Sequence, residues 1–450
     1  MAKTKSVHRC TECGAAAPKW AGRCDGCGEW NTLVEELDVR DEGVSVPPSS
    51  VPLPMSEIAD DSNEARSTGL SEVDRVLGGG LVSGSVTLVG GEPGIGKSTL
   101  LLQLAGAAAG SGARCLYVSG EESVGQVRGR AERLGAVHPD LWLVAETVVP
   151  HIRAHLDQVK PDIVVIDSVQ TLQDPALSSA PGSVSQVREG ANSMTRYAKQ
   201  HGTAVLLVGH VTKDGALAGP RVLEHVVDTV LEFEGDRHHG LRLLRASKHR
   251  FGPTTEVGLL QMEDAGLAPV DDPSGLFLAD RVTGVSGSAI VPTLDGNRPL
   301  VIEVQALVAE SQLANPRRSA QGFDQGRLAM LLAVLERRCG LSVLGADVYA
   351  LAVGGARIVD PGADAAVALA VASSLTGNPL ADDLVVVGEV GLGGELRHVG
   401  HINRRLNEAA RMGFRRAIVP HATGDAPDGL EVLRAPTLAA AIALADVGPH

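Results

Sequence analysis

The stretch GGEPGIGKSTLLLQ, which begins at Gly90, constrains what this chain can fold into more than any other. Gly91, Gly96, Lys97 and Ser98 stand at the spacing of a phosphate-binding loop, with Glu92, Pro93, Gly94 and Ile95 inside it and Thr99 just after. Glycines let backbone N–H groups turn inward around phosphates, and the start of a helix adds favourable partial charge. The geometry needs a buried strand before the loop and a helix after it. SVTLVG (85–90) reads as the strand and STLLLQLAGAAAG as the helix. A plain glycine-rich turn is the alternative. On the phosphate reading, Lys97 reaches the β and γ phosphates of ATP, and the Ser98 hydroxyl ligates Mg²⁺.

Downstream come ARCLYVSG (113–120), DIVVIDS (162–168), TAVLLVGH (203–210) and VDTVLEFEG (227–235). Short, continuous apolar runs of this kind are strands covered on both faces of a parallel sheet. Helix-like stretches separate them, so residues 66–270 are predicted to form crossover units in a doubly wound α/β sheet. A second α/β region is expected over 280–450.

Asp167 ends the run IVVID, where a carboxylate can hold the Mg²⁺ water shell. Between it and Lys97 the sequence places CLYVSGEES, which delivers Glu121 and Glu122 to a strand end, where α/β sheets bind ligands. Glu121 is the favoured general base for the attacking water and Glu122 the alternative; either could instead cap the next helix. His210 and Thr212 follow another strand and are placed to sense the γ-phosphate, or His210 is simply a satisfied polar residue at a sheet edge.

Cys10, Cys13, Cys24 and Cys27 form two C-x₂-C knuckles ten residues apart. Four thiolates at this spacing suit the closed tetrahedral site of structural Zn²⁺. A module of about thirty residues has too little core to fold without such a clip. Trp20, Trp30, Lys19 and Arg23 surround it; aromatics among bases can stack on single-stranded nucleic acid, or the rings pack the small core. Cys115 and Cys339 stand apart and read as inert core thiols. The module is taken as residues 1–31.

Residues 32–65 carry nine acids and one base, with SVPPSSVPLP among them, and read as a solvated, flexible linker. They supply much of the formal net charge of −14. By contrast RHHGLRLLRASKHRFG (237–252) holds five Lys/Arg and no acid. The chain start, MAKTKSVHRCTEC, lacks the apolar segment of a secretory signal, and no run of about 18 apolar residues is present. The expected compartment is the cytoplasm, with no membrane association.

RSTGLSEVDRVLGGGLVSGSVTLVGGEPGIGKSTLLLQ, YVSGEES, VVIDSVQT and GHVTKDGALAGPRVLEHVVDTVLEFEGDR together resemble the bacterial RadA/Sms DNA-repair family, as does the N-terminal module with PKWAGRC and WNTL. The resemblance implies a RecA-like P-loop ATPase core with a small N-terminal zinc module and a C-terminal Lon-protease-like α/β domain. It implies an ATP-driven motor on single-stranded and branched DNA, acting in homologous recombination as a homo-hexameric ring with ATP at subunit boundaries, and recombinase or replication proteins as possible partners. It also places Glu121 at the catalytic glutamate. The family motif K-N-R-F-G stands here as Lys248, His249, Arg250, Phe251 and Gly252, so His249 departs from the asparagine. Lys248 and Arg250 then act on a neighbouring subunit's γ-phosphate, or grip DNA phosphates, or form a solvated basic strand. By analogy with RecA-like rings, Lys213 and Arg221 in the loop 212–221, and the loop 174–190, face the channel and contact DNA.

From about residue 280 the chain resembles the proteolytic domain of Lon. The nucleophile position falls on Asp364 and the lysine position at or near Asn403; neither supplies the hydroxyl or amine that a Ser–Lys dyad needs, so a peptidase-inactive scaffold is expected. The helix RRLNEAARMGFRR is basic and is read as a solvated face rather than a duplex contact. Three functions compete: a DNA-stimulated ATPase motor, a regulatory ATP-binding ring that recruits recombination partners without translocation, and an ATP-dependent protease, against which the dyad substitutions count.

Overall fold

The computed structural model describes residues 5–10, 16–38, 54–57, 65–210, 223–235, 240–313, 315–424 and 427–448. Two compact units divide the chain, Met1–Asp60 and Asp61–His450.

The first unit holds a three-stranded antiparallel sheet of β1 (Lys5–Cys10), β2 (Ala16–Ala17) and β3 (Leu33–Asp38), in the order β2-β1-β3. Every residue of β3 pairs with β1, from Leu33 opposite Cys10 to Asp38 opposite Lys5. The zinc module therefore does not stop at residue 31, and the acidic stretch after it is not all linker. The acids of LVEELD hid a strand whose backbone is held by its neighbour. Cys10, Cys24 and Leu33, with Ala17 against them, make the small core. Trp20 and Trp30 are 59% and 69% exposed, which corrects the reading that they pack it.

The second unit opens with β4 (Ala65–Arg66), α1 (Ser71–Val76) and β5 (Leu81–Val82). The crossover units follow: β6 (Val86–Gly91), α2 (Lys97–Gly110), β7 (Cys115–Ser119), α3 (Val124–Arg133), β8 (Leu141–Ala145), α4 (Val149–Val159), β9 (Ile163–Asp167), α5 (Val184–His201), β10 (Ala204–His210) and β11 (Thr229–Gly235). Then come β12 (Leu241–His249), β13 (Val257–Glu263) and β14 (Gly266–Pro269). These strands build one sheet in the order β14-β13-β12-β11-β6-β10-β9-β7-β8. It is parallel from β11 to β8 and antiparallel from β11 to β14. Side chains alternate across it. Ile163 and Val165 join Leu100, Leu101 and Leu104 of α2 on one face; Val164 and Ile166 join Ile152 of α4 and Met194 of α5 on the other. Burial on both faces is why these strands read as unbroken apolar runs.

A second sheet follows α6 (Pro273–Leu278). Its strands are β15 (Ser288–Asp295), β16 (Arg298–Glu310), β17 (Arg318–Gln321), β18 (Ala346–Ala352), β19 (Leu384–Val386), β22 (Arg416–Pro420) and β23 (Glu431–Ala435), in the order β17-β18-β16-β15-β19-β22-β23. A small hairpin of β20 (Glu389–Val390) and β21 (Leu396–Arg397) lies beside it in sequence. Around the second sheet stand α7 (Gln325–Cys339), α8 (Asp364–Thr376), α9 (Ile402–Arg411) and α10 (Leu438–Leu444). Its main core takes in α7, α8 and α10, and also Leu241, Leu259 and Phe277. The core thus runs through the boundary expected between 270 and 280, and the two α/β halves pack as one unit. Across that junction the Arg298 guanidinium donates to Glu72 of α1, which also accepts from the Leu259 N–H at 2.7 Å. Both side chains are buried. Among the described residues no helix is long and apolar enough to cross a membrane.

Removing one partner of a buried ion pair strands the other charge. Arg298→Ala is expected to lower stability by about 3–5 kcal/mol, read as a shifted urea midpoint. An unchanged midpoint would show that the junction does not rest on this pair.

Candidate functional site

Parallel pairing sets the site. His210 of β10 lies opposite Gly91 of β6, and Ser119 of β7 opposite Asp167 of β9. The carboxyl ends of these strands therefore share one sheet edge. In the sheet β10 lies between β6 and β9, and β7 lies on the far side of β9. CLYVSGEES is thus between Lys97 and Asp167 in sequence but not in space.

Gly96 takes φ +117°, a conformation closed to residues with a Cβ, and opens α2 at Lys97. Ser98 and Thr99 fall in the first turn of that helix. Lys97 is only 4% exposed, and its Nζ donates to the carbonyls of Gly91 at 2.8 Å and Glu92 at 3.0 Å. Burial pulls its ammonium below the usual lysine range, while the carboxylates of Asp167 and Glu121 act the other way. One cation and two carboxylates thus share one electrostatic field. Behind the loop, buried Arg242 of β12 donates from Nε to the Ile95 carbonyl at 2.9 Å. Nothing in the sequence reading pointed to that support.

Asp167 is buried and accepts from the Tyr117 phenol at 2.6 Å. Burial, and then the charge of Asp167, hold the phenol well above its ordinary pKa, so it stays protonated as the donor. The neighbouring Ser168 hydroxyl donates to Glu121 Oε1 at 2.6 Å. Gly120 leads into Glu121, and a Cβ there would stand 1.9 Å from Thr171 Oγ1, so only glycine fits this approach. Glu122 is drawn away by Arg130 of α3, which donates to its Oε1 at 2.5 Å. Ser123 and Gln126 form the capping box of α3, so neither glutamate caps that helix.

Lys248 and Arg250 converge on the segment before β11. Lys248 Nζ donates to the carbonyls of Glu224 at 2.5 Å and Val227 at 2.7 Å, and Arg250 Nη1 meets Asp228 Oδ1 at 3.1 Å. Asp228 Oδ2 also accepts from the Val86 N–H and Lys199 Nζ. The register is His249 opposite Thr229 and Thr229 opposite Thr87. The motif thus sits at the amino end of β6, about 13 Å along the sheet from Gly91 at roughly 3.3 Å per residue. The motif's backbone thus lies away from the phosphate loop of its own chain. His249 donates from Nε2 to the Leu77 carbonyl at 3.2 Å and accepts at Nδ1 from the Thr229 hydroxyl at 3.0 Å. Burial depresses its pKa, in keeping with a neutral ring.

In the N-terminal unit the sulfurs of Cys10, Cys24 and Cys27 all lie within 4.8 Å of one another. The Gly26 N–H donates to Cys24 Sγ at 3.3 Å. Three soft ligands converging on one point fit a Zn²⁺ ion, with Cys13 as the remaining knuckle residue. Cys13, Lys213, Arg221 and Thr212 lie outside the described residues, as do the His210 side chain and most of the linker.

In the C-terminal half Asp364 begins α8, buried, with its carboxylate held by the Arg327 guanidinium and the Val390 N–H at 3.0 Å. Asn403 is exposed on α9. The two positions matched to the Ser–Lys dyad are thus an ion-paired carboxylate and a surface amide. Of the arginines in the basic helix segment, Arg405 is buried on Asp360, Arg411 meets Glu408 and Asp272, and Arg416 meets Asp383. Arg404 and Arg415 stay exposed.

Three family models match the chain: an AAA domain over residues 53–216, a rubredoxin metal-binding domain over 8–35, and the C-terminal proteolytic domain of Lon protease over 352–430. The chain is 49% identical to the DNA repair protein RadA of Mycolicibacterium smegmatis, covering 98% of this chain and 97% of that protein. It is 46% identical to the protein of that name from Bacillus subtilis, covering 98% and 99%. It is 51% identical to that of Pseudomonas aeruginosa, covering 96% and 97%. With an AAA domain, a metal-binding ribbon and a Lon-like domain matched along it, and relatives of that name aligned over nearly its whole length, the chain belongs to the RadA family of DNA repair proteins.

Proposed function

We propose that this chain is a cytoplasmic, DNA-stimulated ATPase that moves branched recombination intermediates as a homo-hexameric ring. The observation that carries the reading is the separation of two half-sites. Lys97, Asp167 and Glu121 gather at one sheet edge, while Lys248 and Arg250 stand at the opposite end of the same strands. A hydrolytic site that uses Arg250 needs a second copy to bring it.

Gly91, Glu92, Pro93, Gly94, Ile95, Gly96, Lys97, Ser98 and Thr99 hold ATP in this reading. Ser98 and Asp167 hold Mg²⁺, which supplies charge neutralisation between the phosphates. Glu121 is the base for water, favoured over Glu122 because the latter is tied to Arg130. Lys248 and Arg250 serve a neighbour's phosphates or DNA, and Lys213 and Arg221 contact single-stranded DNA. The Lon-like half is a peptidase-inactive scaffold; the burial of Asp364 on Arg327 supports that role. A second reading keeps the ring but makes it a recruiter of recombination proteins through the zinc module. The exposure of Trp20 and Trp30, which leaves two aromatic faces for a partner or for unpaired bases, favours it.

Turnover stimulated by single-stranded DNA, with affinity falling steeply as salt rises, tests the motor. Arg250→Ala is expected to retain nucleotide binding and lose stimulated turnover by about 10³-fold, the scale of an arginine finger. Unchanged turnover in that variant would remove the finger role. Lys97→Ala loses activity on either reading and serves as a control.

The zinc reading predicts metal at one equivalent per chain by elemental analysis, released by a strong chelator together with alkylation of the module cysteines. Burial pushes the Cys115 thiol up to about 12, so it stays protonated and unlabelled at pH 8 in the folded protein. Metal-free protein with the module cysteines still protected would contradict the assignment.

A further inference from the structure

We propose that Tyr117 is a positioning residue for the magnesium site: its hydroxyl determines which oxygen of Asp167 is presented to the ion. The proposal deepens the reading of Asp167 as the Mg²⁺-ordering carboxylate and rests on it. Tyr117 sits in β7, 1% exposed, in the apolar cluster that also holds Leu100, Leu101 and Leu104 of α2. Its strand partner on β9 is Val165, two residues before Asp167. Tyr117 and Asp167 are therefore diagonal neighbours on the same face of adjacent strands, within reach of an aromatic side chain.

The packing there asks only for a ring, and phenylalanine would fill it. What tyrosine adds is one hydroxyl, and among the described residues its hydrogen bond goes to Asp167 Oδ2 at 2.6 Å. A buried phenol needs such a partner, and a bond to a carboxylate is about twice as strong as a neutral one. The consequence is asymmetric. Oδ2 is committed to the phenol, rotation of the carboxylate is stopped, and Oδ1 is left as the oxygen for the ion's water shell. Without the hydroxyl the carboxylate can turn, and the ion must order it on binding.

The test measures binding of a fluorescent ATP analogue against Mg²⁺ concentration for the wild type, Tyr117→Phe and Asp167→Ala. Without Mg²⁺, Tyr117→Phe is expected to bind nucleotide as the wild type does, and the Mg²⁺ dependence of each variant is read against its own Mg²⁺-free affinity. In Tyr117→Phe the Mg²⁺ needed for half-maximal tightening rises on the order of tenfold, as for a lost hydrogen bond to a charged group, and saturating Mg²⁺ restores wild-type affinity. Tyr117→Phe keeps the ring that the packing asks for, and an unchanged urea midpoint checks that it folds as the wild type does. A weakened Asp167→Ala beside an unshifted Tyr117→Phe overturns the positioning role and leaves the reading of Asp167 standing. An unshifted Asp167→Ala overturns both.

Discussion

The parallel pairing of β6 with β10, β10 with β9, and β9 with β7 is the constraint on which the rest depends. One register brings the ends of four strands to a common edge. There the loop after β6, the carboxylate that ends β9 and the glutamate that follows β7 fall within one electrostatic field. Lys97 sits buried among them, its pKa pulled down by burial while the carboxylates of Asp167 and Glu121 act the other way. A slip of one residue in β9 or in β7 would turn Asp167 or Tyr117 to the other face of the sheet and dissolve the site. The apolar residues on both faces make such a slip costly, so the core that stabilises the fold also sets the chemistry.

The same sheet carries the second half of the molecule. Its antiparallel extension, β12 to β14, sends Leu241 and Leu259 into the core of the Lon-like sheet, and Glu72 and Arg298 close the junction. Within that half, the segment that resembles a protease nucleophile segment carries a buried ion pair. Asp364 places a negative charge at the start of α8, where the helix dipole favours it, and Arg327 neutralises it.

Much of this was legible in the sequence for physical reasons. Strands covered on both faces must be apolar throughout, and five of them were read to within a few residues. The phosphate loop carries its own glycines, and CLYVSGEES placed both Glu121 and Glu122 just after a strand. What stayed hidden lacked such a signature. β8 is only half-buried at the sheet edge, so LWLVA did not stand out. β3 looked like linker because its acids declare charge rather than backbone pairing. Tyr117, Ser168 and Arg242 act through contacts between residues far apart in the chain, and no local pattern reports a partner 47 to 147 residues away. The exposure of Trp20 and Trp30 was likewise undecidable from composition, since a small core could have used them.

The central claim is that hydrolysis at this edge drives movement of DNA. Strand displacement on a forked duplex, followed with ATP and with a non-hydrolysable analogue, examines it most directly. The account predicts unwinding with ATP alone, from an oligomeric species. Equal unwinding with the analogue, or no displacement by a chain that hydrolyses ATP as a monomer indifferent to DNA, would contradict it.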